Sequence, residues 1–170
     1  MSLGLPTDSR AERLLVASTV QISPVDPDSK DARWCLEQYF AELNERFDDG
    51  FDPALGISAH AHELTPPAGL LLVARLPGEP VGCGALKFQA DGVGELKRMW
   101  IAPKWRGLGL GRRTLAALEL SAKEAGMTVI HLETNRALPE ALELYRSSGY
   151  QEVKPFNDEA YAHHWFEKRL

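Results

Sequence analysis

The chain has 170 residues, of which 44% are hydrophobic and 25% are charged, and its formal net charge at pH 7 is −5. This length and balance favour one globular domain that folds without disulfides or a structural metal. An acidic chain repels a phosphate backbone, so nucleic acid is not expected as a partner. The absence of any run of about 18 apolar residues argues against a membrane partner. We expect a cytoplasmic protein.

The two cysteines, Cys35 and Cys83, lie far apart and belong to no Cys-x-x-Cys pair or cysteine–histidine cluster. This usage favours a reducing compartment and argues against a zinc site. Cys83 stands between two glycines in an apolar run, where a buried thiol is favoured over a nucleophile. We expect a single domain over residues 1–170, with residues 1–12 disordered or derived from cloning.

The predicted elements follow from apolar spacing and from turn residues. Apolar residues recur at helical spacing after a proline-rich turn in which Ser29 or Asp31 is available as a cap. Gly126 is placed to end a later helix. In chain order, we predict a strand over 13–22, a helix over 31–47, a β-hairpin over 70–76 and 81–88, a strand over 95–101, a loop over 103–111, a helix over 112–125, a strand over 127–132, a helix over 139–148, and strands over 150–153 and 162–168.

The order of these elements predicts the fold class. The strands before the loop follow one another through short turns and form an antiparallel meander. The loop and the helix after it then join two strands as a strand–helix–strand unit, which requires a parallel pair. The expected fold is therefore α/β (α+β): a mixed central sheet, antiparallel first and parallel at the crossover, flanked by helices.

The loop over residues 106–111, Arg-Gly-Leu-Gly-Leu-Gly, lies between a predicted strand and a predicted helix. Glycines allow positive φ and a close approach of the backbone to a ligand. The amides of the loop and the first N–H groups of the helix would form an anion site. Arg106, Arg112 and Arg113 add side-chain charge for phosphate oxygens. The pattern indicates a ligand that carries phosphate, rather than a glycine-rich turn without a ligand.

Two common phosphate motifs do not fit this loop. A Walker loop ends in Gly-Lys-Ser/Thr, which is missing here. The dinucleotide pattern G-x-G-x-x-G fails as well, because Arg112 or Thr114 stands where the last glycine belongs. The nucleotide-binding classes that use these motifs are therefore disfavoured.

Two segments carry a resemblance to a known family. Residues 95–115 resemble motif A of the GNAT superfamily of N-acetyltransferases, and residues 140–150 resemble that family's Ala-x-x-x-Tyr-x-x-x-Gly-Phe/Tyr segment. The two stand in the family's order, and with the preceding hairpin the resemblance covers residues 70–150. The residues that match the Arg/Gln-x-x-Gly-x-Gly/Ala signature of motif A are Arg106, Gly109 and Gly111.

The resemblance implies a GNAT-type fold that uses acetyl-CoA as acyl donor and no metal. The backbone of Met99–Ile101 would pair with pantetheine amides, and the strands around Ile101 and Ile130 would splay apart to admit the thioester. Many members carry an asparagine seven residues before the tyrosine, where this chain has Leu138; Asn135 would substitute. The cofactor-binding residues expected are Met99, Trp100, Ile101, Arg106, Gly107, Leu108, Gly109, Leu110, Gly111, Arg112 and Asn135.

The same resemblance implies a direct attack by the amine in a ternary complex. Tyr145 matches the family tyrosine near the cofactor sulfur and would protonate the departing thiolate; otherwise it is a core tyrosine of a helix. Glu95 has the offset from Arg106 of a catalytic glutamate and would serve as base. Its alternative is a solvent-facing charge paired with Lys97 or Arg98.

The acyl acceptor is expected to be a primary amine of a small molecule or peptide. In this family the loop after the first helix and the last hairpin form the acceptor pocket, here residues 45–53 and 156–162. Their acidic residues suit a cationic amine or are solvated surface. A homodimer is common in the family. The alternative function is a catalytically inactive acyl-CoA-binding regulatory module. The acids in these two loops are Asp48, Asp49, Asp52, Asp158 and Glu159.

Overall fold

The computed structural model describes residues 9–57 and 59–170, which form a mixed α/β structure with one seven-stranded sheet and helices on both of its faces. Short 3-10 turns lie in two of the connections, two of them between residues 46 and 69 and one between residues 101 and 110. The helices and strands are α1 (Arg10–Ala17), β1 (Gln21–Pro24), α2 (Lys30–Arg46), β2 (Gly69–Leu76), β3 (Glu79–Phe88), β4 (Val93–Ile101), α3 (Leu110–Glu124), β5 (Val129–Thr134), α4 (Pro139–Ser147), β6 (Gln151–Val153) and β7 (His164–Arg169).

The strand order in this sheet is β1-β2-β3-β4-β5-β7-β6. All neighbouring strands are antiparallel except β4 and β5, which are parallel and are joined through α3. β4 and β5 pair only over Val93–Glu95 and Val129–His131, although β4 continues to Ile101. The predicted meander, parallel crossover and splay are therefore all present. Beyond Glu95, the edge of β4 that faces β5 is open.

The two faces of the sheet have separate cores. α3 and α4 pack on one face, where the buried residues include Leu96 of β4 and Phe166 of β7. α2 packs on the other face over Cys83 and Trp100. Each fully buried large apolar side chain contributes about 1.5–3 kcal/mol to the free energy of unfolding. Because alternate residues of β4 serve opposite faces, this strand is packed on both sides.

The N-terminal segment differs from the prediction of a strand over residues 13–22. A helix, α1, occupies residues 10–17 because the side chain of Ser9 caps it by accepting from the amide of Glu12 at 3.2 Å. The run of adjacent apolar residues does not face the core, and Leu15 is 72% exposed. Only residues 21–24 form a strand, at the edge of the sheet.

The remaining predicted elements are confirmed, with small shifts at their ends. Ser29 caps α2 by accepting from the amide of Ala32, and Gly126 follows α3 with φ +89°. The expectation for residues 1–12 falls mostly outside the described residues and stays a prediction; of these residues, Arg10–Glu12 belong to α1. In the described part of the chain, no helix is both long and apolar enough to cross a membrane.

Candidate active site

The glycine loop forms a row of free backbone donors at the start of α3. Gly107 and Gly109 have φ of +76° and +86°, which is why this turn uses glycine. Arg113 is the first residue after the loop whose amide makes a helical hydrogen bond, which it donates to the Gly109 carbonyl at 3.0 Å. Within the described residues, no protein group accepts from the amides of residues 107–112. Together with the helix dipole, these amides make a site for an anion such as a pyrophosphate.

The three arginines that the sequence assigned to phosphate differ in the surroundings of their side chains, and only Arg106 and Arg112 border the groove described below. Arg113 donates to the carbonyls of Ala17 at 2.9 Å and Val20 at 2.8 Å, so it ties α3 to the N-terminal segment. Arg106 makes two contacts with Glu42, at 2.7 and 2.8 Å. Arg112 is exposed beside the loop. The backbone therefore carries more of this anion site than the charge count suggests.

A groove of about 260 Å³ runs from this loop along the open edge of β4. The backbone of Met99–Ile101 forms one side, and α4 forms the other. Leu108 and Leu110 are buried in the core beneath the loop, so only their amides are available to a ligand. Residues from the loop and its flanks complete the groove: Arg106, Gly107, Gly109, Gly111 and Arg112. These positions include most of the predicted cofactor residues.

Asn135 lies outside this groove. Its amide nitrogen donates to the Tyr161 carbonyl at 2.7 Å, and its amide oxygen accepts from the Ala137 amide at 2.8 Å. The side chain is 7% exposed and borders a different cavity. At the family's asparagine position, Leu138 lines the groove with an apolar side chain. Asn135 thus shapes the loop before α4, and its assignment as a cofactor residue stays a prediction.

A second cavity, of about 150 Å³, lies on the α2 face of the sheet. The two loops predicted to form the acceptor pocket do border it, through residues such as Phe51 and Tyr161. Of the five acids in those loops, Glu159 alone borders the cavity, whereas Asp48 is 89% exposed in its side chain. The two cavities meet, because both are lined by Tyr39, Leu43, Met99, Leu138, Ala141 and Tyr145.

Tyr145 stands at this junction. It is 4% exposed, and its hydroxyl has no hydrogen-bond partner among the described residues. Burial raises the pKa of Tyr145 well above its usual range, so the phenol holds its proton at neutral pH. Tyr150, which packs edge-on against it, instead donates to Glu119 at 3.3 Å. Tyr145 is therefore a protonated phenol that borders both cavities, whereas Tyr150 is a core residue.

Glu95 lies outside both cavities. Its carboxylate accepts from the Gln89 amide at 2.9 Å and lies 3.9 Å from the Lys97 ammonium. Lys97 in turn contacts Glu133 of β5 at 2.8 Å, and both of these side chains border the second cavity. Glu133 is thus the carboxylate nearer to the junction, and the sequence offered no motif for it.

A β-bulge in β4 redirects Arg98. Ala85 pairs with Lys97 while Cys83 pairs with Trp100, so β4 carries one extra residue, and Arg98 has φ +54°. Lys97 and Arg98 consequently both face α2. The Cys83 thiol donates to the Arg98 carbonyl at 3.3 Å and borders neither cavity. Its hydrogen bond with Cys35 and its burial raise the pKa of Cys83, as expected of a structural thiol.

The fold and the site combine a gap in a mixed sheet with a row of free backbone amides at a helix N-terminus. The model of the acetyltransferase (GNAT) family matches residues 32–150. The "IAA acetyltransferase" of Azospirillum brasilense is 35% identical over 120 residues, which are 70% of this chain and 78% of that protein. The chain therefore belongs to the GNAT acetyltransferase family and is an acyltransferase.

Solved structures support the same fold. A structure from Klebsiella pneumoniae subsp. pneumoniae MGH 78578 has a TM-score of 0.71 at 29% identity and covers 90% of this chain and 99% of its own. A GNAT family acetyltransferase from Elizabethkingia anophelis, solved with acetyl-CoA bound, has a TM-score of 0.60 at 17% identity, with the same coverage. The family acetylates amines with acetyl-CoA as the acetyl donor. Acetyl-CoA is therefore the ligand whose fit to the free amides of residues 107–112 has to be examined.

Proposed function

We propose that this chain transfers an acetyl group from acetyl-CoA to a primary amine of a small molecule or peptide, by direct attack in a ternary complex. The observation that carries the proposal is the meeting of two cavities at Tyr145, one of which ends at a row of free amides. One cavity suits a long ligand with a phosphate end, and the other suits a compact acceptor.

The residues present fit acetyl-CoA. The free amides of residues 107–112 would hold the pyrophosphate, since none of them is used by another group of the described chain. The open edge of Met99–Ile101 would pair with the pantetheine amides as an added strand would. Acetyl-CoA would supply the acetyl thioester whose C–S bond breaks as the C–N bond forms. Its cysteamine end would then point to the junction.

Tyr145 is the proposed acid. When the thiolate leaves, the phenol would donate its proton, and burial keeps the phenol protonated until then. The backbone at the bulge around Arg98 would stabilise the charge that develops on the thioester oxygen. Tyr39 is a second buried hydroxyl at the junction, and burial raises its pKa as well. Tyr145 is preferred because α4 aims it at both cavities.

Glu133 is the proposed direct base. An ammonium must lose a proton before it attacks. Glu133 borders the second cavity, which is the one proposed for the acceptor and is called the acceptor cavity below. Glu95, the base predicted from the sequence, would act only through the Lys97 and Glu133 pair and is proposed as a positioning residue. A cytoplasmic location and a homodimer remain predictions from the sequence and the family.

A screen of primary amines tests the function. Purified protein, acetyl-CoA and each amine are incubated, and the product is identified by mass spectrometry after treatment with hydroxylamine, which leaves amides intact and cleaves thioesters. The proposal expects an N-acetylated product and, in a sample assayed before hydroxylamine is added, one free thiol for each acetyl group transferred. Binding of acetyl-CoA without product on any amine would support the regulatory-module alternative instead.

A further inference from the structure

The side chain of Arg98 is a half-buried cation that the proposed acetyl-transfer mechanism does not use. The bulge turns it from the α3 face to the α2 face, where it borders the second cavity. Its guanidinium carbon lies 5.2 Å above the ring of Phe40, and one nitrogen donates to the Ala59 carbonyl at 2.6 Å. Its remaining N–H groups have no acceptor among residues 9–57 and 59–170.

The other charged groups of this cavity are engaged by protein groups. Lys97 and Glu133 pair with each other at 2.8 Å. Glu159 accepts from the backbone amide of Ile57 at 2.7 Å. Glu63, the carboxylate whose field acts on Arg98, is itself bonded to Lys87 at 2.8 Å. In the described chain, Arg98 makes no salt bridge, and its positive charge is left facing the cavity.

An aromatic wall borders the same cavity. The ring of Phe51 lies 4.8 Å from that of Tyr161 and 5.6 Å from that of Phe40. Phe47 packs against Tyr161 at 5.5 Å. Such a wall favours a large apolar or aromatic group, and it lowers the local dielectric, which strengthens the attraction of a guanidinium for an anion.

We propose that the acetyl acceptor is an amine that also carries a carboxylate and a large apolar group, with Arg98 binding the carboxylate. The inference rests on the proposed function and names its substrate class. The carboxylate would take the free N–H groups of Arg98 in a bidentate arrangement. The apolar group would lie on the aromatic wall, and the amine would point to the junction at Tyr145. Arg98 is then a specificity-determining residue.

The test compares amines that differ only in the carboxylate. The pairs are phenylalanine and phenethylamine, tryptophan and tryptamine, and leucine and 3-methylbutylamine. Wild-type protein is expected to use the carboxylate member of the best pair with a kcat/KM about 10- to 100-fold higher, the range of a charge-assisted contact. This comparison needs no variant, so it does not depend on how a mutant folds.

Arg98→Met then assigns the effect to one residue, since methionine keeps apolar contact with Phe40. The variant is expected to lose about 10- to 100-fold in kcat/KM for the carboxylate amine and less than about 2-fold for its partner. Arg33→Met, which removes an arginine with a side chain 67% exposed on α2, should change neither value.

The outcomes separate the two levels of the proposal. Equal use of both members of every pair, or an equal loss of both in Arg98→Met, would overturn the assignment of Arg98 while leaving acetyl transfer in place. Product from no amine, with acetyl-CoA still bound, would contradict the proposed function itself and this inference with it. A selective loss of the carboxylate member supports the inference.

Discussion

The ammonium of Lys97 lies 2.8 Å from the Glu133 carboxylate and 3.9 Å from the Glu95 carboxylate, so one lysine links the proposed base to the proposed positioning residue. Only Glu133 borders the acceptor cavity. The chain of contacts runs from Glu95, which borders neither cavity, to Glu133 at the second cavity. It makes the roles of the two acids separable by experiment.

The first prediction compares Glu133→Gln with Glu95→Gln. Because a positioned base contributes about 10²–10⁴-fold, Glu133→Gln should lower kcat/KM by at least about 100-fold at neutral pH. Its rate should recover as pH rises, since more of the amine is then neutral without a base. Glu95→Gln should lose less than about 10-fold, because Lys97 and Glu133 remain paired. The pH profile of kcat/KM measures both.

A larger loss in Glu95→Gln than in Glu133→Gln would reverse this assignment. Thermal unfolding serves as the control for both variants. It matters most for Glu133→Gln, which leaves the largely buried Lys97 with a weaker partner.

The second prediction concerns Tyr145→Phe, with Tyr150→Phe as its matched control. Both tyrosines are 4% exposed, but only Tyr145 borders the cavities. Loss of its hydroxyl should lower kcat about 10- to 100-fold while the Kd for acetyl-CoA stays within about 2-fold. Tyr150→Phe should affect stability more than turnover, since its hydroxyl bonds Glu119.

Steady-state rates and calorimetric titration with acetyl-CoA test this pair. Full turnover by Tyr145→Phe across pH would remove it from the mechanism and leave Tyr39 as the hydroxyl at the junction. Equal losses of kcat in the two variants would show a packing effect instead.

The third prediction uses Gly109→Ala to test whether the free amides of residues 107–112 bind the phosphates of acetyl-CoA. Gly109 has φ +86° with no atom within 4 Å of the position of an added Cβ, so alanine strains the backbone without a clash. That strain costs about 1–2 kcal/mol in the left-handed region, and relief of it would turn the amides away from the phosphates. We expect the Kd for acetyl-CoA to rise about 10-fold.

Gly126→Ala is the control for this substitution. Gly126 has φ +89° and equally open surroundings, but it lies at the other end of α3. It should lose similar stability with an unchanged Kd. Calorimetric titration of both variants that shows equal Kd values would contradict the assignment of the loop.

The fourth prediction concerns Glu63, which holds the turn beside Ala59. Its hydrogen bond to Lys87, together with the His60 amide, lowers the pKa of Glu63 to about 2. A depressed pKa in the folded state adds stability at pH values above the unfolded pKa of about 4.3, and this stability is lost as pH falls toward 2. NMR titration of the carboxyl should show a higher pKa in Lys87→Met, and an unchanged one in Lys104→Met.

The pH dependence of unfolding should follow the same direction. Wild-type protein should lose more stability than Lys87→Met as the pH falls from about 4.3 toward 2, because only the wild type has the strongly depressed pKa. An equal loss in the two proteins would contradict the assigned cause.

The glycine loop, the crossover and Tyr145 were predictable from the sequence because each is a local pattern of spacing. Their positions along the chain carry over directly to the structure. Arg98 was not predictable as a cavity residue, because its direction is set by a bulge that arises only when β4 pairs with β3. The position of Glu133 was not predicted for a similar reason: its contact with Lys97 exists only because β4 and β5 are neighbours in the sheet.

Other placements that the sequence did not predict have the same origin in tertiary contacts. Arg113 belongs to the glycine motif by sequence, but the carbonyls of Ala17 and Val20 draw it to the N-terminal segment. The apolar run over residues 13–22 suited a strand, but a cap at Ser9 and exposure of Leu15 favoured a helix. Asn135 is engaged by Tyr161, a residue that lies far along the chain.

The most direct test of the account is amine-dependent release of thiol from acetyl-CoA, followed with purified wild-type protein and with Tyr145→Phe. The account predicts release that starts only when an amine is added, equals the N-acetyl product formed, and slows by about 10- to 100-fold in the variant. Tight binding of acetyl-CoA without any amine-dependent release by wild-type protein would contradict it.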